Sequence, residues 1–318
     1  MRARLFVAVF LIASAAQAWN FTGHQIVAGI AWDNMSETAR AKAIAVLQAA
    51  PDDACLRDLM PADDRPLAER QREFFMRAAT WPDLVRPAKD DTRACTRYHH
   101  PNWHFINYFW QGVSGTTGAT APKERTDIEV PEVNAVERLA LFRPYVTCDQ
   151  AACGTTPAER ATTLPWILHL VGDLHQPLHT SARTTTNADE LKGDQGGNLF
   201  KTGTGERPPS LHGFWDGILD RTITRHADEP TIVYLDRVIG VITHDRPRAS
   251  LAGNLHSGDA QEWSREGLTT TMSIIYPQSL ERGVQPSETY RKMAFETSET
   301  AVALAGYRLA DMLNRMFP

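Results

Sequence analysis

Apolar residues recur at helical spacing along most of this 318-residue chain. Residues 287–317 place Ala294, Ala301, Leu304, Leu309 and Met312 turn by turn, which predicts a long C-terminal helix. Thr156-Pro157-Ala158-Glu159 combines a capping box with proline at the first helical position. The helix it opens is expected to reach about Leu174, with a kink at Pro165. Ser36 can cap another that runs through Ala39 and Ala43 towards Ala50 and stops at Pro51. Residues 130–145 read as a further amphipathic helix. Strand signals are sparse, and residues 231–234 (Thr-Ile-Val-Tyr) carry the best one. Two polar stretches rich in Gly, Thr and Asp, 112–126 and 184–209, are expected as long loops, which in a compact domain usually serve function or move. Without repeats or low-complexity tracts, the pattern predicts a mainly α, single-domain fold over residues 19–318.

The first residues break this pattern. Residues 5–13 are almost wholly apolar, follow Arg2 and Arg4, and lead to the small-x-small triplet Ala16-Gln17-Ala18. That order is the mark of a secretory signal peptide, residues 1–18, too short for a lasting membrane span. An uncleaved anchor is the competing reading, and the placement of the small residues favours cleavage. No later segment has the apolar run of a membrane helix, so no anchor is expected after cleavage and the location is secreted or periplasmic. Cleavage after Ala18 would leave Trp19 first and, by removing Arg2 and Arg4, move the formal net charge from -5 to -7. An acidic protein has no broad basic face for duplex nucleic acid. Attraction for an anionic substrate must then be local, and bound metal ions are one source. The four cysteines fit disulfides in an exported chain, with three possible pairings. Cys148 and Cys153 bracket a short loop and are favoured as one pair, leaving Cys55 with Cys95; no C-x-x-C spacing points to metal.

The densest chemistry is His169-x-x-x-Asp173-x-His175-Gln176-Pro177-Leu178-His179. On a helix, His169 and Asp173 share a face, and imidazole nitrogen with carboxylate oxygen suits zinc. Pro177 ends the helix and lets His179 turn back. Alone, such a pair is usually a surface contact or a satisfied buried histidine. Here His212-Gly213-Phe214-Trp215-Asp216 repeats the spacing, and Asp83 and His104 also sit among tryptophans and apolar residues, where unpaired charge is costly.

With these residues the chain resembles the secreted trinuclear-zinc single-strand nucleases and 3′-nucleotidases of fungi, plants and bacteria. The likeness spans nearly all of 19–318 and rests on nine positions in order: Trp19, His24, Asp83, His104, His169, Asp173, His179, His212 and Asp216. It implies a helical fold of the zinc phospholipase C/single-strand nuclease type and three zinc ions. One zinc would take Asp83, His104, His169 and Asp173. A second would take His24, the amine and carbonyl of Trp19, and Asp173 as a bridge. The third would take His179, His212 and Asp216. Three dications against three carboxylates leave the site locally positive, which suits an anionic substrate. The resemblance further implies hydrolysis of single-stranded RNA and DNA to 5′-phosphorylated products and 3′-nucleotidase activity, with no stable protein partner. Asp83 and Asp173 are expected in the catalytic centre, Arg86 on a phosphate oxygen, and Phe105 under a base, although core packing explains Phe105 nearly as well. Asn107 stands where fungal members carry an aspartate, so base preference does not transfer. Asn198, after Gly196-Gly197, is expected either to contact phosphate or a ligand histidine, or to form a plain turn. His175 is expected beside the ligands or in solvent. His99 and His100 mismatch the ligand pattern, and His226, His244 and His256 read as surface residues.

Two rivals follow. A zinc phospholipase C places its first histidine further from the N-terminal tryptophan and ends its last motif in glutamate, whereas here His24 follows Trp19 closely and the pair ends in Asp216. A non-catalytic zinc-binding protein would be expected to close its sites, whereas the third set has only three protein ligands. The sequons at Asn20 and Asn34 matter only in a eukaryotic secretory pathway.

Overall fold

A computed structural model describes residues 19–112, 122–148, 154–186, 188–206, 208–255 and 258–318. The expected signal peptide, Cys153 and His256 lie outside the described residues. Several helix starts follow side-chain caps. α1 (Phe21–Asn34) begins at Asn20, whose side-chain oxygen accepts from Gly23 N at 3.1 Å. Ser36 Oγ does the same for Ala39 N at 3.0 Å and opens α2 (Glu37–Gln48). α3 (Leu67–Ala78) and the short α4 (Trp81–Leu84) follow. α5 (Ala135–Thr147) starts later than its apolar pattern suggested. Pro131 disfavours helical backbone at Val130, and Asn134 Oδ1 accepts from Val136 N and Glu137 N at 3.0 and 3.1 Å. α6 (Pro157–Leu174) carries both arms of the Thr156/Glu159 capping box and runs on through Pro165.

Beyond it come α7 (Leu211–Asp216), α8 (Ile218–Thr222), α9 (Thr231–Asp245), α10 (Ala252–Leu255), α11 (Ala260–Thr270) and α12 (Glu288–Met316), the last capped by Ser287. The strand expected at 231–234 is therefore the first turn of α9. Its β-branched residues favour a strand locally, but Tyr234, Leu235, Val238, Ile239 and Ile242 are buried at helical spacing, and that tertiary burial outweighs propensity. Strand occurs instead at aromatic-rich β1 (Tyr108–Gln111), flanked by antiparallel β2 (Lys123–Glu124) and parallel β3 (Ser181–Thr184), with Trp110 opposite Glu124 and Tyr108 opposite Ser181.

α6 is the central element: every residue from Leu164 to Leu174 is buried, with α5 and α2 packed on it. A fully buried large apolar side chain contributes about 1.5–3 kcal/mol, whereas an unpaired ionised carboxylate in that setting costs far more. His169 and Asp173 inside such a helix therefore demand a chemical partner. α1 packs against α12, α3 and α9. The contact with α12 is close at Gly306, where a Cβ would lie 2.5 Å from Ile30 Cβ and 3.1 Å from Val27 O. Cys55 and Cys95 form the expected disulfide, with Cα atoms 5.8 Å apart. Cys148 is also disulfide-bonded. Among the described residues no helix is long and apolar enough to cross a membrane.

Candidate metal centre

Six segments carry the candidate ligands to one place. His24 comes from α1, Asp83 from α4, His104 from the segment entering β1, His169 and Asp173 from α6, and His212 and Asp216 from α7. His179 lies in the 3-10 turn Pro177–His179 just after α6. Strand pairing draws the His104 and His179 segments together, through Ile106 N to His179 O at 2.9 Å and Tyr108 N to Thr180 O at 3.2 Å. All eight residues are buried, none more than 7% exposed.

They form two groups. In the larger, Asp173 Oδ1 is 3.3 Å from His24 Nε2, and its Oδ2 is 3.3 Å from both His104 Nδ1 and His169 Nε2. His24 stacks on His169 with ring centroids 3.8 Å apart. A ligand oxygen of Asp83 lies within 4.8 Å of nitrogens of both His24 and His169, so Asp83 borders both halves of this group. In the smaller group, His179 Nε2 is 3.0 Å from His212 Nε2, which is 3.4 Å from Asp216 Oδ2.

Backbone carbonyls set the imidazole tautomers. Nδ1 of His169 donates to Ala79 O at 2.8 Å, that of His179 to His104 O at 2.8 Å, and that of His212 to Gly196 O at 2.7 Å. A carbonyl only accepts, so each Nδ1 carries hydrogen, and in the neutral ring that binds metal each Nε2 then presents a lone pair. The Nε2 lone pairs of His179 and His212 thus face each other across 3.0 Å, which is repulsive unless a cation lies between them. Two nitrogens bound tetrahedrally to zinc at their usual 2.0–2.1 Å lie about 3.3 Å apart. Both oxygens of Asp173, Asp83 Oδ2, His104 Nε2 and both nitrogens of His24 are buried without a hydrogen bond among the described residues. Burial holds His24 and His104 well below the usual imidazole range and His169 at about 3, so these rings are neutral, the state that binds metal. Burial also lifts Asp83 to about 7 and raises Asp173 well above its ordinary value, with Asp83 and Asp216 adding like-charge repulsion. A cluster of dications would supply the charge and the lone-pair partners this donor set lacks. The residues fit zinc.

Glycines let the elements approach. A Cβ on Gly172 would fall 2.8 Å from His24 Nδ1, with the Trp19 ring next in line. Gly196, at φ +59°, would place a Cβ 2.2 Å from Leu178 O and 3.3 Å from His212 Nδ1. The Gly196 carbonyl, rather than Asn198, supports His212; Asn198 Nδ2 donates to Gln195 O at 2.9 Å within the turn. Trp19 is fully buried, and the next residue is pinned beside α7, with Asn20 N on Asp216 O at 3.3 Å and Asn20 Nδ2 on Asp220 Oδ2 at 2.6 Å.

Around the centre, Arg86 Nη2 lies 3.5 Å from Asp83 Oδ1 with its side chain 22% exposed, at the rim. Phe105 and Asn107 are half-buried and alternate with buried His104, Ile106 and Tyr108, so Phe105 lies outside the hydrophobic core. His175 is in neither metal group nor solvent: it is buried, with Nδ1 on Val171 O at 2.7 Å and Nε2 facing Arg308 Nη1 at 2.8 Å. His100 stacks on Trp103, and His226 and His244 are exposed. Sequence reasoning passed over Gln176, which is fully buried and donates to Asp216 Oδ1 at 2.6 Å. Its place inside a motif already dense in ligands was the available signal.

Residues 19–318 match the family model described as S1/P1 Nuclease. Endonuclease 2 of Arabidopsis thaliana is 23% identical over 329 residues, covering 98% of this chain and 96% of that protein. Endonuclease 4 of the same plant is 23% identical over 159 residues, 48% of this chain and 50% of its own. The family match takes in every segment that brings a histidine or aspartate to the centre, and the chain belongs to the S1/P1 nuclease family.

Proposed function

We propose that this chain, a member of a nuclease family, hydrolyses single-stranded RNA and DNA to 5′-phosphorylated products and removes 3′-phosphates from nucleotides, with three zinc ions, in the periplasm or outside the cell. The carrying observation is Asp173: both oxygens are buried without hydrogen bonds, and each faces a different set of imidazoles. Asp83, His104, His169 and Asp173 would hold one ion. His24, Asp173 and the amine and carbonyl of Trp19 would hold the second. His179, His212 and Asp216 would hold the third. When bound, zinc supplies Lewis acidity towards phosphoryl oxygens and lowers the pKa of water.

The protein's own groups do the rest. The carbonyls of Ala79, His104 and Gly196 take the Nδ1–H of His169, His179 and His212 and so orient each ring with Nε2 turned to the cluster. Arg86 at the rim has a planar guanidinium suited to a phosphate oxygen. Phe105, half-exposed directly after His104, offers a ring face to a splayed base, which a duplex would keep stacked. Asn107 lies on the same side, and its amide both donates and accepts, so it can serve more than one base. Elemental analysis of purified protein tests the reading together with rates on single-stranded polynucleotide, duplex, 3′-nucleotide and phosphatidylcholine. Three zincs per chain with hydrolysis of single strands and 3′-nucleotide are expected. Fewer ions, or preferential hydrolysis of phosphatidylcholine, would overturn it.

A further inference from the structure

Gln176 touches three of the candidate ligand residues at once. Its backbone N donates to Asp173 O at 3.0 Å, and its carbonyl accepts from His179 N at 2.9 Å. Its side-chain Oε1 accepts from Leu178 N at 2.7 Å, while Nε2 donates to Asp216 Oδ1 at 2.6 Å. Because Leu178 N can only donate, Oε1 must face it, and the amide orientation is settled by chemistry. Asp216 is thereby left with Oδ2 towards His212 Nε2, while its Oδ1 is taken. No such donor touches Asp173, whose oxygens are both bare.

We propose that Gln176 is the positioning residue that makes Asp216 a one-oxygen ligand and locks it, through the turn bearing His179, in register with Asp173. This rests on the three-ion reading of the site. A carboxylate free at both oxygens can rotate, chelate through both, or bridge; one with an oxygen held by a fixed amide can do none of these. Gln176 is fully buried, so water does not replace its N–H when it is lost. The hydrogen bond also joins two elements, the turn after α6 and α7, that reach the same ion from different parts of the chain.

The test is equilibrium dialysis of the intact protein against a buffered series of free zinc, with the visible spectrum of the cobalt-substituted form as a second readout. In Gln176→Met, one ion should bind about 10–100-fold more weakly, the usual cost of losing a partner of a metal ligand. The other two should stay within about twofold, and the cobalt absorption of the weakened site should fall as a second Asp216 oxygen enters. Gln176→Glu keeps the length and the acceptor for Leu178 N but opposes an oxygen to Asp216 Oδ1, so it should weaken the same ion further. If Gln176→Met does not fold, Gln176→Glu decides. In an Asp216→Ala background, Gln176→Met should change neither remaining ion. Three unchanged affinities with an unchanged spectrum would overturn the proposal, and so would equal weakening of all three ions, which is general loosening. A wild-type protein with fewer than three ions fails the metal reading instead, and that outcome is visible before any variant is made.

Discussion

Asp173 and Asp216 stand in the same local setting, each four residues after a histidine on a helix and each buried, at 0% and 7% exposure. Burial raises both carboxyls well above their ordinary range. Their second oxygens differ. Asp173 has two bare oxygens aimed at two sets of imidazoles, whereas Asp216 has one oxygen held by Gln176. The helix they ride on differs too, since α6 is buried all round its second half while α7 is a short turn closed by the Gly196 loop. On the three-ion reading, one spacing in sequence would give a bridge in one place and a terminal ligand in the other, with the neighbour of the second oxygen deciding which.

The strongest way to break this comparison is to remove the bridge. Asp173→Asn should lose both ions it joins and lower kcat/KM by at least about 10²–10³-fold on every substrate. Three retained zincs and near-normal turnover would end the bridging assignment. A second test acts on the bridge from its other side. A chain with an extra residue before Trp19 replaces the chelating amine by an amide nitrogen, whose lone pair is withdrawn into resonance. Such a form should fold yet hold one zinc fewer, with His24→Ala matching it; intact mass, zinc content and turnover measured together check this. Full activity with three zincs in the extended form would remove Trp19 from the set.

The terminal ligand is probed more gently. Gly196→Ala puts a Cβ 2.2 Å from Leu178 O at a positive φ, so the loop must shift and its carbonyl must leave His212 Nδ1. Binding of the His179/His212/Asp216 ion should weaken about 10–100-fold while the Asp173 pair keeps its affinity, read by zinc dialysis. Uniform weakening would merge the two regions into one. The smallest effect is expected at a residue outside the candidate ligand set. Phe105→Ala should weaken nucleotide binding by about 1–3 kcal/mol per stacked base, visible as a raised KM, with zinc content and hydrolysis of a non-nucleotide phosphodiester unchanged. Equal losses on both substrates would make Phe105 a packing residue.

What the sequence disclosed, and what it hid, divides along the same line between local and tertiary causes. Ser36, and Thr156 with Glu159, announced their helices because a cap acts within one turn. The family match and the mostly helical fold were legible from the order of histidines and aspartates. The 231–234 segment misled because its β-branched residues were judged without the core they pack against, and β1 was missed although Tyr-Phe-Trp is a strand composition. Gly172 gave no signal, and Gln176 and Gly196 were visible only as members of segments noted for other residues. Each matters only through an atom delivered by another part of the chain: Asp216 Oδ1, His24 Nδ1 and Leu178 O. His175 was placed off the metal face, but its buried contact with Arg308 on α12 is beyond any local pattern.

The packing of α1 against α12 at Gly306 also sets a clock. His24 rides on α1, and the surface that α1 needs in order to bury Val27 and Ile30 is supplied by residues synthesised more than 250 positions later. At about 5–20 residues per second, the ribosome separates the two by on the order of tens of seconds. The first candidate ligand histidine is therefore made well before one of the helices that its own helix packs against. Until α12 is made, the helix that carries His24 lacks one of the faces it packs against.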